Sequence, residues 1–288
     1  MLGLFDGLED DDITDEPVLR APFGYVGSKT KSLKHILPML PYGKSYIEVF
    51  GGSGVVLLNR RASKLDVYND RFGGVVCFYR CLRDPAMFDE LTDWLENTVH
   101  AKEEYIECRA TWKDCHDPVE RAARWYYSMA YSFGSKGDAW GRTVNSAGMA
   151  GQIRRKIAGF DKVHRRLESV QFENASWEKI LRDYDNSDAV FYLDPPYVAT
   201  DSGGYHYAMN HDDHRKMLNY IQGMEGFVAL SGFSNPLYDD FQWDDRISWN
   251  VTCTMAGNSN TEGNGKAHMK GLEGYHSAEE ILWIKEAR

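Results

Sequence analysis

Val190-Phe191-Tyr192-Leu193-Asp194-Pro195-Pro196-Tyr197 is the stretch on which the fold turns. Its four apolar residues, β-branched and aromatic in bias, read as a strand covered on both faces. Two prolines then fix φ, withdraw an N–H from any ladder and hold each preceding residue extended. The strand therefore ends in a stiff exit that presents a carboxylate, a backbone carbonyl and an aromatic ring at the carboxyl edge of a sheet. Open α/β folds bind their ligands there. A proline-rich turn with an aspartate cap is the plain alternative for such a tetrapeptide, and the neighbouring segments decide between them.

Upstream, Ser45 to Phe50 reads as another strand, running into Gly51-Gly52-Ser53-Gly54 and the helical run Val55 to Arg60. Strand, glycine turn and helix make the first half of a nucleotide-type βαβ unit. A dinucleotide fingerprint would need glycine where Leu57 stands, so the turn suits a nucleoside without a pyrophosphate, with glycines that let a ligand approach backbone. The next strand, Lys64 to Tyr68, ends in Asn69-Asp70. Asp70 is placed to accept hydrogen bonds from ribose hydroxyls, and equally to cap the following helix, Gly74 to Cys81. Ahead of these, Tyr25-Val26-Gly27-Ser28-Lys29 precedes a helix carrying Leu33, Ile36 and Leu37, with Pro38 and Pro41 as stops. Gly27-Ser28-Lys29-Thr30 lacks the spacing of a phosphate loop, and Lys29 by itself reads as a solvated helix-start lysine.

Downstream, Ser169 to Phe172 is a strand and Trp177 to Leu181 a helix before the strand into Asp194. Asn210 caps a helix to Gln222, with Asp212 and Asp213 in its first turn. Gly226 to Ser231, Ser248 to Cys253 and Glu280 to Ile284 are the remaining strands, and Val198 to Ala208 and Gly257 to Gly274 are polar loops. His206, His211 and His214 cluster in sequence but lack the H-E-x-x-H frame, so no metal is expected.

From Arg83 to about His164 the α/β alternation stops. Helices are expected from Asp84-Pro85 through Leu95, around Tyr105 to Trp112 and from Pro118 to Tyr131, followed by the glycine-rich loop Phe133 to Arg142. Residues 121–166 hold ten bases against two acids, although the whole 288-residue chain has a formal net charge of -10. Bases for phosphates beside aromatic rings are what a DNA-reading insertion needs. Trp125, Tyr126, Tyr127 and Tyr131 read as core. Lys136, Trp140, Arg142, Arg154, Arg155 and Lys156 are the candidate DNA contacts.

The composition, 43% hydrophobic, supports one sizeable core. No apolar run reaches about 18 residues and no signal-peptide pattern opens the chain, so a soluble cytoplasmic protein is expected. Five cysteines without a C-x-x-C pair read as reduced thiols. Residues 1–16 contain seven acids and no base, which reads as a mobile tail.

Tyr25-Val26-Gly27-Ser28-Lys29, then Glu48-Val49-Phe50-Gly51-Gly52-Ser53-Gly54, then Asn69-Asp70, then Asp194-Pro195-Pro196-Tyr197, with an insertion before the last, resembles the Dam-like, α-group DNA adenine-N6 methyltransferases. His164-Arg165-Arg166-Leu167 and Glu279 to Ile284 extend the likeness over nearly everything from residue 21. The resemblance implies an α/β, Rossmann-like S-adenosylmethionine-dependent methyltransferase with a mixed seven-stranded sheet, one strand antiparallel. It implies a catalytic domain of residues 21–82 and 165–288, a helical target-recognition insertion of residues 83–164, and a tail of residues 1–20. Around S-adenosylmethionine it places Tyr25, Gly27, Lys29, Glu48, Phe50, Gly51, Gly52, Ser53, Gly54, Asp70 and Asp194. Double-stranded DNA is the implied partner, in a prokaryotic or phage-encoded setting, with no obligatory protein partner. The chain departs from the family in the hairpin Gly134 to Arg142, which is less basic and contains Asp138.

Adenine N6 is a poor nucleophile because its lone pair is delocalised into the ring, and it is inaccessible until the base is flipped out. The Asp194 carboxylate and the Pro195 carbonyl can each accept one N6 hydrogen, Pro196 stiffens the exit, and Tyr197 can stack on the base. Stacking of that kind offsets about 1–3 kcal/mol of the flipping cost. Cytosine N4 or a protein glutamine amide presents a similar amino group to such a site. A DNA-binding relative that has lost turnover is the alternative from outside enzymology.

Overall fold

The computed structural model describes residues 18–135, 137–141, 149–197, 209–253 and 276–288. Five parallel strands, β1 (Ser45–Glu48), β2 (Leu65–Asn69), β3 (Val170–Glu173), β4 (Ala189–Leu193) and β5 (Phe227–Phe233), form most of the sheet. A terminal pair, β6 (Asp245–Cys253) and β7 (His276–Lys285), completes it in the order β3-β2-β1-β4-β5-β7-β6. Only β7 runs against its neighbours. The seven-stranded mixed sheet expected from the sequence is therefore present. β6 and β7 exceed their expected lengths because they pair with each other along nine residues, a long-range match that neither segment reveals alone.

Every residue of β1 and β4 is buried, as a central parallel strand covered on both faces requires. Successive side chains go to opposite cores. Ile47, Phe191, Leu193, Leu230 and Trp283 face one, and Tyr46, Tyr192, Ala229 and Leu282 face the other. The first core lies under α9 (Trp177–Tyr184), α10 (His211–Gln222) and the short α11 (Pro236–Asp239). The second lies under α2 (Val55–Asn59), α3 (Gly73–Arg83) and the helical insertion, α4 (Pro85–Asn97), α5 (Lys102–Thr111), α6 (Pro118–Ala130), α7 (Met149–Ile157) and α8 (Phe160–Leu167). The single turn α1 (Leu33–Ile36) packs here too, and Pro38, expected as a stop, instead sits inside a 3-10 turn that extends it through Met39.

Helix starts follow the local chemistry. Asp84 accepts from Ala86 and Met87 N–H ahead of Pro85, Asp117 accepts from Glu120 N–H ahead of Pro118, and Asn210 with Asp213 makes a reciprocal capping box. The insertion shares a continuous core with α3: the Tyr126 ring stacks on Phe78 at 4.9 Å and Trp125 meets Phe23 edge-on at 5.1 Å. Trp125, Tyr126, Tyr127 and Tyr131 are all buried, the core role read for them in the sequence. Among the described residues no helix is long and apolar enough to cross a membrane.

Candidate active site

Strand order reverses between β1 and β4, whose neighbours are wound away in opposite directions. At such a switch point the carboxyl ends of two adjacent strands leave a crevice. Here that crevice is a cleft open to solvent, with Asp194 at the end of β4, Glu48 at the end of β1, Asp70 after β2 and the turn 51–53 on its walls. Tyr25, Gly27, Lys29, Phe50 and Pro196 also line it. Gly54 does not; it begins α2 with a φ of 63°. Pro195 and Tyr197 lie beside the cleft rather than on its wall. Lys136 and Arg142 fall outside the described residues, as do His206 and the loops 198–208 and 257–274.

The glycine turn is nailed from behind. Gly52 N–H donates to Asp70 at 2.8 Å, the Tyr68 hydroxyl donates to Gly52 O at 2.7 Å, and the Tyr79 hydroxyl donates to Ser53 O at 2.6 Å. The sequence reading gave the turn's glycines to a ligand. At Gly51 the constraint comes from inside the protein, since a Cβ there would lie 2.2 Å from the Tyr68 ring. Gly51→Ala is expected to cost about 1–3 kcal/mol by overpacking, read as a lower urea midpoint; an unchanged midpoint would show that the ring has room to move.

Asp70 serves the fold as well as the cleft. Its second oxygen accepts Phe72 N–H at 2.7 Å, just ahead of α3, whose own first residues have no side-chain cap. Burial pushes its carboxyl up to about 6 against the pull of those two N–H donors.

Glu48 is 2% exposed. Its Oε2 accepts both the Tyr46 hydroxyl at 2.9 Å and Leu57 N–H at 2.7 Å, and the cleft runs past the same side chain. Burial pushes its carboxyl from 4.5 up to about 8, more than those two bonds pull it down. The folded protein thus holds a proton that the unfolded chain gives up above pH 4.5, and the stability this lends below that pH is lost as pH rises through 8. Relative to Glu48→Gln, the wild type without donor is expected to lose up to about 1.4 kcal/mol per pH unit across that window. Urea melts at pH 5 and pH 8 measure it, and a constant gap between the two proteins would contradict the burial argument.

Lys29 overturns its bland reading. It is 5% exposed, and its ammonium donates to Asp194 Oδ2 at 2.5 Å and to Gly27 O at 2.9 Å, with Glu280 Oε1 at 3.4 Å. Burial alone would lower its pKa, but Asp194, Tyr192 and Glu280 outweigh that and hold the ammonium above its ordinary range. Asp194 is pushed up by burial and held back by Lys29, while its Oδ1 accepts the Ser231 hydroxyl at 2.9 Å. The Tyr197 hydroxyl donates to Glu280 at 3.1 Å and its ring packs on Phe233 at 4.4 Å.

Ser231 and Glu280 were missed as site residues. Ser231 is a polar position in an otherwise apolar strand buried on two faces, an anomaly visible in the sequence; Glu280 follows the exposed Glu279 at the start of the apolar run 281–284 and carries no such local signal. Which charges they meet depends on register. Residues Tyr46 and Tyr192 share a core, so Glu48 and Asp194, two residues on, fall in phase with them. Pairing of Ser231 with Leu282 and of Phe233 with Glu280 puts the others on the same face.

His214 is buried, with Nδ1 2.7 Å from the Tyr238 hydroxyl, and burial lowers its pKa to about 4. In the insertion, Arg154 and Arg155 are exposed on α7 while Ile153 and Ile157 face inward; Lys156 is half-buried. Trp140 is half-buried against His100, Tyr105 and Tyr131. Some of the formal positive charge of residues 121–166 is internal: Arg166 pairs with buried Asp66 at 2.7 Å, and Arg124 with Glu120 and Glu107.

A doubly wound α/β protein with a carboxylate-lined cleft at its switch point, closed on one side by an acid-proline-proline-tyrosine exit, is built to hold a nucleoside beside a second group. Residues 25–240 match the D12 class N6 adenine-specific DNA methyltransferases, and the chain belongs to that family. It is similar to modification methylase StsI of Streptococcus sanguinis, 20% identical over 88% of this chain and 42% of that protein. It is also similar to type II methyltransferase M.CviBI of Paramecium bursaria Chlorella virus NC1A, 25% identical over 75% of this chain and 85% of the relative. The chain thus spans less than half the length of the first of these relatives. Among solved structures, a SAM-dependent O-methyltransferase from Thermotoga maritima matches at 11% identity and a TM-score of 0.34, covering 90% of this chain and 66% of that one. That likeness is too distant to bear on function.

Proposed function

We propose that this protein transfers a methyl group from S-adenosylmethionine to N6 of an adenine flipped out of duplex DNA. The observation that carries the reading is that Asp194, Asp70, Glu48 and the turn 51–53 line one cleft at the switch point, in a chain of the D12 family. Family membership also favours adenine N6 over cytosine N4 or a glutamine amide.

The donor set suits the methyl donor. Asp70 could accept from ribose hydroxyls, Glu48, which holds its proton without donor, would ionise against the methionine ammonium, and Phe50, Phe72 and Trp177 provide apolar wall for a base. When bound, S-adenosylmethionine supplies an electrophilic methyl on a positively charged sulfur. The protein's part is orientation and electrostatics. Asp194 and the Pro195 carbonyl accept the two N6 hydrogens, draw the amine toward tetrahedral geometry and stabilise the positive charge that develops on nitrogen. Tyr197, fixed at its hydroxyl by Glu280 and at its ring by Phe233, is the stacking surface. Lys29 keeps Asp194 ionised until the amine replaces it as partner.

In this reading residues 83–164 select the DNA site, with Arg154, Arg155 and Lys156 on phosphates and the loop bearing Lys136, Trp140 and Arg142 near the bases. Unmethylated plasmid DNA incubated with tritiated S-adenosylmethionine and digested to nucleosides is expected to yield labelled N6-methyldeoxyadenosine. Label in N4-methylcytidine, or donor binding without transfer to DNA, would overturn the proposal.

A further inference from the structure

Glu280 lies beyond residues 25–240, the stretch matched as a D12 methyltransferase, yet it sits at the centre of the charged cluster. It is 3% exposed, and its two oxygens are used differently. Oε1 accepts the Tyr197 hydroxyl at 3.1 Å and lies 3.4 Å from the Lys29 ammonium. Oε2 accepts the Ser32 hydroxyl at 2.7 Å, and Ser32 Oγ in turn accepts the Trp249 indole N–H at 3.1 Å.

The antiparallel register explains how this side chain arrives. Glu280 stands opposite Phe233 on β5 and opposite Trp249 on β6. Phe233 packs on Tyr197, and Trp249 anchors Ser32. The carboxylate is thus clamped on one oxygen by a buried serine and indole. Its other oxygen holds two groups at once, the Tyr197 hydroxyl and the Lys29 ammonium.

A second carboxylate also changes what Lys29 can do. Its ammonium donates to Gly27 O and Asp194 and forms an ion pair with Glu280 at 3.4 Å. With Asp194 alone as counter-ion, a buried ammonium would stay bound to it, because leaving would strand a desolvated charge. With Glu280 in place the ammonium keeps a partner when Asp194 turns to the substrate amine.

We propose that Glu280 is a positioning residue for methyl transfer, which fixes the Tyr197 ring through its hydroxyl and retains Lys29 when Asp194 engages the target amino group. The inference rests on the adenine-transfer reading above. It assigns Glu280 no contact with the donor, since Glu280 is not part of the cleft wall.

The test uses the whole chain, unmethylated plasmid DNA and tritiated S-adenosylmethionine, under single-turnover conditions. Glu280→Gln preserves shape and can still accept from Tyr197, but loses its charge toward Lys29. Glu280→Ala loses both links. The expected result is that Gln lowers the transfer rate about tenfold and Ala about 10²-fold, the scale of a 1 Å misplacement at a reacting centre. The dissociation constant for the donor should stay within about twofold of wild type. Tyr197→Phe supplies a second, independent arm: because its hydroxyl's partner is Glu280, the double variant Glu280→Ala/Tyr197→Phe should lose less than the product of the single losses.

Wild-type transfer rates in both Glu280 variants would overturn the inference, as would strictly multiplicative losses in the cycle. A parallel fall in donor affinity and rate would overturn it too, by showing a merely structural role. If the wild type itself fails to label adenine, the adenine-transfer reading fails instead, so the two failures are distinguishable.

Discussion

Asp194→Ala is expected to lower the single-turnover rate of methyl transfer by about 10²–10⁴-fold, the range lost when one positioned acid–base or electrostatic partner is removed. The side chain stands at the end of a strand whose own residues are fully buried, and its removal leaves the buried Lys29 ammonium with Glu280 as its remaining carboxylate partner, so the variant is expected to fold with lower stability. Oδ2 is committed to Lys29 and Oδ1 to Ser231, which fixes the orientation of both lone-pair sets before any substrate arrives. Donor binding is expected to change by a few-fold only, because Glu48, Asp70 and the glycine turn remain. Asp194→Asn is the sharper control, since it keeps volume and one acceptor while placing an N–H toward the ammonium. Rates within a few-fold of wild type in both variants would remove Asp194 from the mechanism.

Lys29→Met is expected to destabilise the protein by about 3–5 kcal/mol, the cost of stranding the partners of a buried ion pair. Lys29 Nζ is the cation placed between Asp194 and Glu280, at 2.5 and 3.4 Å. Without it two carboxylates face each other with little water. The Asp194 carboxyl, already pushed up by burial, then loses the ammonium that held it back and rises further. A group with a raised folded pKa lends stability below its unfolded pKa and loses it as pH climbs, so the penalty is expected to be small near pH 4 and full by pH 8. Urea melts of both proteins across that range measure it. A second substitution, Asp194→Asn in the Lys29→Met background, should recover part of the loss at pH 8, since one of the two stranded charges is gone. A penalty that does not vary with pH would show that the ammonium contributes by packing alone.

Much of the site could be read before any fold was known. Asp194-Pro195-Pro196-Tyr197 and Gly51 to Gly54 carry their meaning locally: proline stops a ladder and glycine allows a turn, whatever surrounds them. Asp70 was read as a ribose acceptor and as a helix cap; its bond to Gly52 N–H, beside the one to Phe72 N–H, adds a third task, pinning the glycine turn, that the sequence did not suggest. Lys29 by itself read as solvated, and only the family resemblance placed it in the site, because its charge suggests solvent unless a carboxylate 165 residues away is known to meet it. Glu280, 251 residues further on than Lys29 in the chain, escaped for the same reason.

The insertion shows the same division. Its aromatic residues were read as core, and they are buried. Of the ten bases counted over residues 121–166, Arg124 and Arg166 are spent on Glu120, Glu107 and Asp66, whereas Arg154 and Arg155, read as DNA contacts, are exposed. Charge counts along a chain cannot separate a base that holds the fold from one that faces a partner.

By itself the sequence determined the strand exits, the glycine turn, the helix caps and the α/β class, because each follows from backbone rules spanning a few residues. Only the tertiary structure decided that Asp194, Lys29, Ser231, Tyr197 and Glu280 form one cluster. That depends on the reversal of strand order between β1 and β4 and on the register of antiparallel β7. Both are set by how two cores fill with side chains from distant segments, where shifting a strand by one residue would turn every charge to the other face.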